Sequence, residues 1–383
     1  MAGFPKKIFS VPVTHEAPGF EYPGVKALFY DGMPYQGRDT RIFAWYGYPE
    51  KARGKVPAMV LVHGGGGTAF PDWVRLWNSR GYAAIAMDTC GGVPAWFNST
   101  YCRNPWPRHE WSGPLGWGLD KASFAPELPP EEQWPYHAVS AVVLGHSLLR
   151  SFPEVDPDRI GITGISWGGY LTCIAAGIDS RFAFAAPVYG CGFLDRPSVG
   201  LACESRTRKD LRRLSQWYAM WDPSHYLSGA KMPFLWVNGT NDFAFPMDSM
   251  QLSYRLTGKR YLAVRVRMPH AHGGAGEKPE EILMLADHLC RRGAAPAEFK
   301  AQGGKKQIVW ARFRSKLPVK SAELNYTRAV GHWTDRTWNT MPADISGDRV
   351  SAVLARGTTV YFFNIYDEAG RVASSEHVCI CRA

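Results

Sequence analysis

The sequence predicts an α/β protein, a mostly parallel sheet with helices on both faces, followed by a small all-β domain of sandwich type. Three observations carry this reading. Short apolar runs recur between residues 58 and 266, and several end in glycine-rich turns. Strands that are apolar throughout are buried on both faces, as in parallel sheets. Helix-like stretches separate these runs, whereas after Arg292 only strand-like segments follow.

The elements follow in order. Residues 24–46 alternate in polarity and contain the turn-like Asp31-Gly32, which suits an antiparallel hairpin on the sheet edge. Residues 58–62 run into His63-Gly64-Gly65-Gly66-Gly67, and residues 82–87 into Asp88-Thr89-Cys90-Gly91-Gly92. Residues 134–150 carry apolar side chains at helical spacing. Residues 159–163 form a strand that ends in Gly164-Ile165-Ser166-Trp167-Gly168, and residues 170–177 continue as a helix. Residues 182–188, 234–237 and 261–266 supply further strands. Residues 293–306, rich in Ala, Gly and Lys, read as a linker. Segments 308–313, 322–326, 350–354, 358–365 and 374–380 then read as sandwich strands. The expected division is a large α/β domain over residues 1–297 and a β-sandwich-like domain over 298–383.

Two insertions, about 91–134 and 191–231, interrupt the rhythm. The first holds Trp96, Trp106, Trp111, Trp117 and Trp134; the second holds Trp217, Tyr218 and Trp221. Long loops in compact domains are often lids or binding walls. These aromatics either pack the insertions onto the sheet or face a ligand, and the sequence supports both equally.

Composition narrows the function classes. A charge of +10 on 383 residues invites a polyanion partner, but the densest basic groupings, residues 206–213 and Lys305-Lys306, are short. They read as solvated surface, so no nucleic-acid partner is expected. None of the eight cysteines forms a paired C-x-x-C zinc site. No apolar run reaches the length of a membrane span, and the first twenty residues lack a signal-peptide core. A cytoplasmic protein is expected, or a secreted or periplasmic one whose signal has been removed. Nothing in the sequence specifies an oligomer.

The chemistry centres on Ser166. In G-x-S-x-G between a strand and a helix, the glycines permit a turn too crowded for side chains, and the serine projects above the sheet. The glycine run after residues 58–62 suits a loop whose backbone N–H groups approach an oxyanion closely. Gly65, with Gly66 as second choice, and Trp167 are the expected donors. A plain glycine turn and a phosphate loop are the other readings, and the phosphate loop is the weaker fit because the Lys-Ser/Thr signature is missing. A serine nucleophile needs a base and the base an orienting acid. Asp242, just beyond the strand 234–237, is the expected acid, with Asp248 as fallback. His272, in Met268-Pro269-His270-Ala271-His272-Gly273-Gly274, is the expected base, with His270 as neighbour or alternative. A His-x-His pair also suits a metal, but no third ligand follows at a fitting spacing, so neither metal nor cofactor is expected. His137 and His146 read as structural.

Together these residues resemble the α/β-hydrolase superfamily over residues 25–292. Within it, Asp158-Arg159-Ile160-Gly161-Ile162-Thr163-Gly164-Ile165-Ser166-Trp167-Gly168-Gly169-Tyr170 resembles acetyl xylan esterases, dienelactone hydrolases and prolyl oligopeptidase-like catalytic domains. Dienelactone hydrolases carry cysteine where Ser166 stands, which favours the esterases. Glutamine usually follows the serine in acetyl xylan esterases, and Trp167 stands there in this chain. The chain before Val56 is too short for the propeller of a prolyl oligopeptidase. The resemblance implies a serine ester hydrolase that removes short acyl groups, acetyl above all, from carbohydrate or other small-molecule esters through an acyl-enzyme. The alternatives are a prolyl oligopeptidase-like serine peptidase and a non-catalytic glycan-binding homologue.

Overall fold

A computed structural model describes residues 3–380 apart from 66, 98–99, 103–106, 117–123, 197 and 199–207. The main sheet has nine strands in the order β1 (Thr14–Tyr22), β2 (Val25–Asp31), β3 (Arg41–Gly47), β5 (Ala83–Met87), β4 (Val56–Val62), β8 (Val155–Ile165), β9 (Phe184–Val188), β10 (Phe234–Gly239) and β11 (Arg260–Arg265). The first three are antiparallel, and β5 to β11 run parallel. Every residue of β4 and β5 is buried, so both faces are covered. A short hairpin, β6 (Ala95–Phe97) with β7 (Thr100–Cys102), lies in the first insertion.

Eight helices accompany the sheet: α1 (Pro71–Ser79), α2 (Trp134–Ser151), α3 (Trp167–Ile178), α4 (Arg208–Trp221), α5 (Ser224–Leu227), α6 (Met247–Arg255), α7 (Gly274–Glu277) and α8 (Glu280–Arg291) among the described residues. α2 is buried almost all round, which matches its nearly continuous apolar sequence. The chain passes from β4 to β5 on one side and later to β8 on the other, so the strand order reverses between β4 and β8. The crevice beyond strand ends at such a reversal is where open α/β sheets bind ligands.

From Glu298 the chain builds two antiparallel sheets. One contains β12 (Glu298–Lys305), β13 (Ile308–Arg314), β16 (Asp344–Ser346) and β17 (Arg349–Val353). The other contains β14 (Val319–Thr327), β15 (Trp338–Pro342), β18 (Val360–Asp367), β19 (Val372–Ser374) and β20 (Val378–Cys379). Val309, Ala311, Phe313, Val350 and Ala352 of the first meet Leu324, Phe363 and Ile365 of the second in a separate core. The intervening residues of β18, Val360 and Phe362, join the core of the main sheet. The β11 edge is also closed by side chains: Ser374 Oγ accepts the Val264 N–H at 2.8 Å, and Asn364 Nδ2 donates to the Val264 carbonyl at 3.0 Å. A covered edge offers no template for strand addition.

Two local expectations change. The segment read as a linker contains β12, whose register places Gly303 and Gly304 opposite Trp310 and Val309. Gly303 leaves room for the Trp310 ring, so partner packing decides the state of a weakly apolar strand. The expected hairpin over residues 24–46 belongs to a three-stranded unit. Its tight turn is at Gly24, where φ is +78°, while Asp31 closes β2 ahead of a longer connection.

Candidate active site

Ser166 sits between β8 and α3 with φ 58° and ψ −119°, a left-handed backbone that a residue with a side chain adopts only under constraint. The constraint is visible. The Ser166 N–H donates to the Val188 carbonyl at 2.8 Å, and its own carbonyl accepts from the Tyr170 N–H at 2.9 Å. The flanking glycines are required by close approach: a Cβ on Gly164 would strike the Gly168 carbonyl, and one on Gly168 the Val62 carbonyl. Trp167 opens α3, where a helix N–H has no intrahelical acceptor and the helix dipole favours negative charge.

The glycine loop lies beside this turn, since Val62 of β4 is in register with Gly164 of β8. The Gly67 N–H donates to the Gly64 carbonyl at 2.9 Å, closing a tight turn. Buried His63 braces it from below. Its Nε2 lies 3.0 Å from the Thr89 N–H and accepts from it, so Nδ1 carries the proton and donates to the Gly64 carbonyl at 2.8 Å. Asp88 holds the neighbouring loop by accepting from the Cys90 and Gly92 N–H groups at 2.8 and 3.0 Å. Gly65 packs under Trp167, where a Cβ would lie 2.6 Å from ring carbon Cδ1. Gly66 lies outside the described residues.

The expected acid, Asp242, and the two candidate bases, His270 and His272, lie beyond β10 and β11. Asp242 is buried; its Oδ1 accepts from the Ala244 and Phe245 N–H groups at 2.9 and 2.7 Å. Its Oδ2 lies 2.6 Å from His270 Nδ1. Three acceptor contacts satisfy a carboxylate that would otherwise be costly to bury. The His270 ring stacks on Tyr189 at 4.6 Å and tilts against the exposed Phe243 at 4.7 Å. Tyr189, which directly follows β9, donates its hydroxyl to the Pro269 carbonyl at 2.6 Å and so fixes the histidine loop. Burial, aided by the nearby Asp242 charge, pushes the Tyr189 hydroxyl pKa up, which keeps that donor protonated.

The expected contact between Asp242 and His272 is not formed. His272 turns the other way: its Nε2 accepts the Gly64 N–H at 2.9 Å, and its Nδ1 lies 3.4 Å from a Glu277 carboxylate oxygen. Side chains two residues apart in a loop need not share a direction, and spacing alone gives no preference. Asp248, the fallback acid, pairs instead with Arg196 at 3.6 Å. His63 and Asn241 were not singled out as functional by sequence. The signal for His63 was a polar residue at the end of a wholly apolar strand. Asn241 carried no local signal, because its partners lie over ninety positions away: its Nδ2 donates to the carbonyls of Trp333, Thr334 and Arg336 at 3.2, 2.9 and 2.7 Å.

Most of the insertion aromatics among the described residues pack. Trp134, Trp217 and Trp221 are fully buried, and Trp167 makes edge contacts with Trp134, Tyr170, Trp217 and Phe245. Trp111 lies under the Arg41 guanidinium at 4.3 Å, whereas Trp96 is exposed. Trp106 and Trp117 lie outside the described residues. Among the described residues no three His, Cys, Asp or Glu side chains converge to hold a metal ion, and no helix is long and apolar enough to cross a membrane.

Comparisons with known proteins agree with this geometry at the level of fold. The acetyl xylan esterase from Paenibacillus sp. R4 superposes with a TM-score of 0.56 at 21% identity, covering 74% of this chain and 92% of that one. Acetyl xylan esterase 1 from Thermoanaerobacterium sp. JW/SL YS485 superposes with a TM-score of 0.53 at 17% identity, covering 73% and 87%. No curated protein matches the chain. The family model for acetyl xylan esterase matches residues 15–226, more than half of the 383 residues; this stretch includes the glycine loop and Ser166 and ends before β10. The chain therefore belongs to the acetyl xylan esterase family, on an α/β-hydrolase fold, and is a serine carboxylic-ester hydrolase.

Proposed function

We propose that the protein removes acetyl or similarly short acyl groups from carbohydrate esters through an acyl-enzyme on Ser166, with His270 as base and Asp242 as its orienting acid. The observation that carries this assignment is the 2.6 Å contact between His270 Nδ1 and the buried Asp242 carboxylate. With Nδ1 held as the donor, Nε2 is the basic nitrogen. It takes the Ser166 proton as Oγ attacks the ester carbonyl, then returns it to the leaving sugar oxygen. Water, deprotonated by the same nitrogen, attacks the acyl carbon; the bond to Oγ breaks, Oγ takes the proton back from Nε2, and the acid departs as its carboxylate. The backbone N–H groups of Gly65 and Trp167 are the proposed donors to the tetrahedral oxyanion, each worth about 3 kcal/mol. Ser166 Oγ makes no hydrogen bond among the described residues. Nucleophile–base contacts commonly tighten only once substrate is bound.

Exposed Phe243, against His270, offers an aromatic face to a sugar ring at the mouth of the site. The two superposed proteins, both acetyl xylan esterases, support the acetyl-carbohydrate class. The division at residue 298 into a catalytic and a sandwich unit belongs to the same proposal. The test is turnover of p-nitrophenyl acetate and acetylated xylo-oligosaccharides by wild type, Ser166→Ala and His270→Ala. Each variant is expected to lose activity roughly 10⁴-fold or more. Retained turnover in Ser166→Ala would refute the mechanism. Cleavage of proline p-nitroanilides with inert acetates would support a peptidase, and failure to label with a fluorophosphonate a non-catalytic homologue.

A further inference from the structure

We infer that His272 is a positioning residue for the oxyanion loop, acting through the Gly64 peptide rather than on the proton of Ser166. The inference rests on the assignment of His270 as base. The nitrogen that a base would turn towards serine, His272 Nε2, accepts the Gly64 N–H at 2.9 Å. The carbonyl of Gly64 is taken by His63 Nδ1 and by the Gly67 N–H, at 2.8 and 2.9 Å. Two histidines from separate parts of the chain thus hold the peptide groups of one glycine immediately before the proposed donor Gly65. Gly64 cannot itself give its N–H to an oxyanion while His272 accepts it, so its role is to fix the orientation of the peptides that follow.

The packing is specific to this arrangement. A Cβ on Gly64 would lie 3.1 Å from Ser166 Cβ and 3.2 Å from His272 Nε2; one on Gly67 would lie 3.1 Å from His272 Nε2. The imidazole occupies space that two glycines leave open. Phe70 at 4.9 Å and Trp73 at 6.1 Å hold the ring in place, and Glu277 at 3.4 Å faces its other nitrogen. Misplacement of oxyanion donors by a fraction of an ångström lowers the rate of the chemical step more than it weakens ground-state binding.

The test compares His272→Gln, whose Oε1 accepts an N–H near the position of Nε2, with His272→Leu, which has no acceptor. Expected for His272→Leu is a kcat lower by ~10–100-fold with KM within about threefold, and a parallel fall in fluorophosphonate labelling rate. His272→Gln is expected to recover most of that loss. Equal kcat for wild type and His272→Leu, with only thermal stability lowered, overturns the inference. If both His272 variants are as inactive as Ser166→Ala while His270→Ala still turns over, His272 is the base, and the assignment beneath the inference fails instead. Circular dichroism and active-site titration keep misfolding separate from either result.

Discussion

Asn241→Ala tests whether the connection between β14 and β15 helps to hold Asp242, the proposed acid. Asn241 adjoins Asp242, and its Oδ1 accepts the Thr240 hydroxyl at 2.7 Å, which fixes the amide orientation. Its two amide hydrogens serve three carbonyls of residues 333–336, at 2.7, 2.9 and 3.2 Å. At most two bonds are therefore at full strength, and at about 1 kcal/mol net each the anchor is worth about 2 kcal/mol. The Thr334 contact is exposed, so water replaces part of it. If this energy holds Asp242 on His270, kcat should fall roughly five- to thirtyfold. KM should barely change, because the proposed acid does not touch substrate. Steady-state kinetics on p-nitrophenyl acetate alongside urea unfolding provide the assay. A stability loss with kcat unchanged would refute the reasoning and show that the Ala244 and Phe245 N–H groups suffice to hold Asp242.

Two further predictions concern the scaffold. Gly168→Ala places a methyl group against the Val62 carbonyl and 2.6 Å from the His63 carbonyl, so β4 or the turn must move. A loss of about 3 kcal/mol or more is expected, read as a lower urea midpoint and reduced labelling of Ser166; a melting temperature within about 2 °C of wild type would count against it. Burial pushes the pKa of both His137 and His377 down to about 4. In the unfolded chain they take up protons near pH 6.5, so their contribution is full above that pH and is lost as pH falls towards 4. Each costs about 1.4 kcal/mol per pH unit within that window. A urea midpoint that stays flat between about pH 7 and pH 5 would contradict this.

What the sequence determined by itself was the mostly parallel sheet with most of its strands, the two helices flanking Ser166, and the placement of Ser166, the glycine loop, Asp242 and the two histidines at strand ends. These features are local: wholly apolar runs, tight glycine turns and short strand-to-loop distances leave their mark within a few residues. Trp134, Trp217 and Trp221 show the limit, since burial and ligand contact call for the same side chain and only tertiary packing separates them. The same holds for β12, which pairs because Trp310 and Val309 face its glycines. Which histidine meets Asp242 was decided by the tertiary structure alone. Tyr189 and Phe243 hold the His270 ring towards Asp242, while Phe70, Trp73 and the Gly64 N–H draw His272 the other way. Side-chain direction in an irregular loop follows contacts distant in sequence, and no spacing rule reports them.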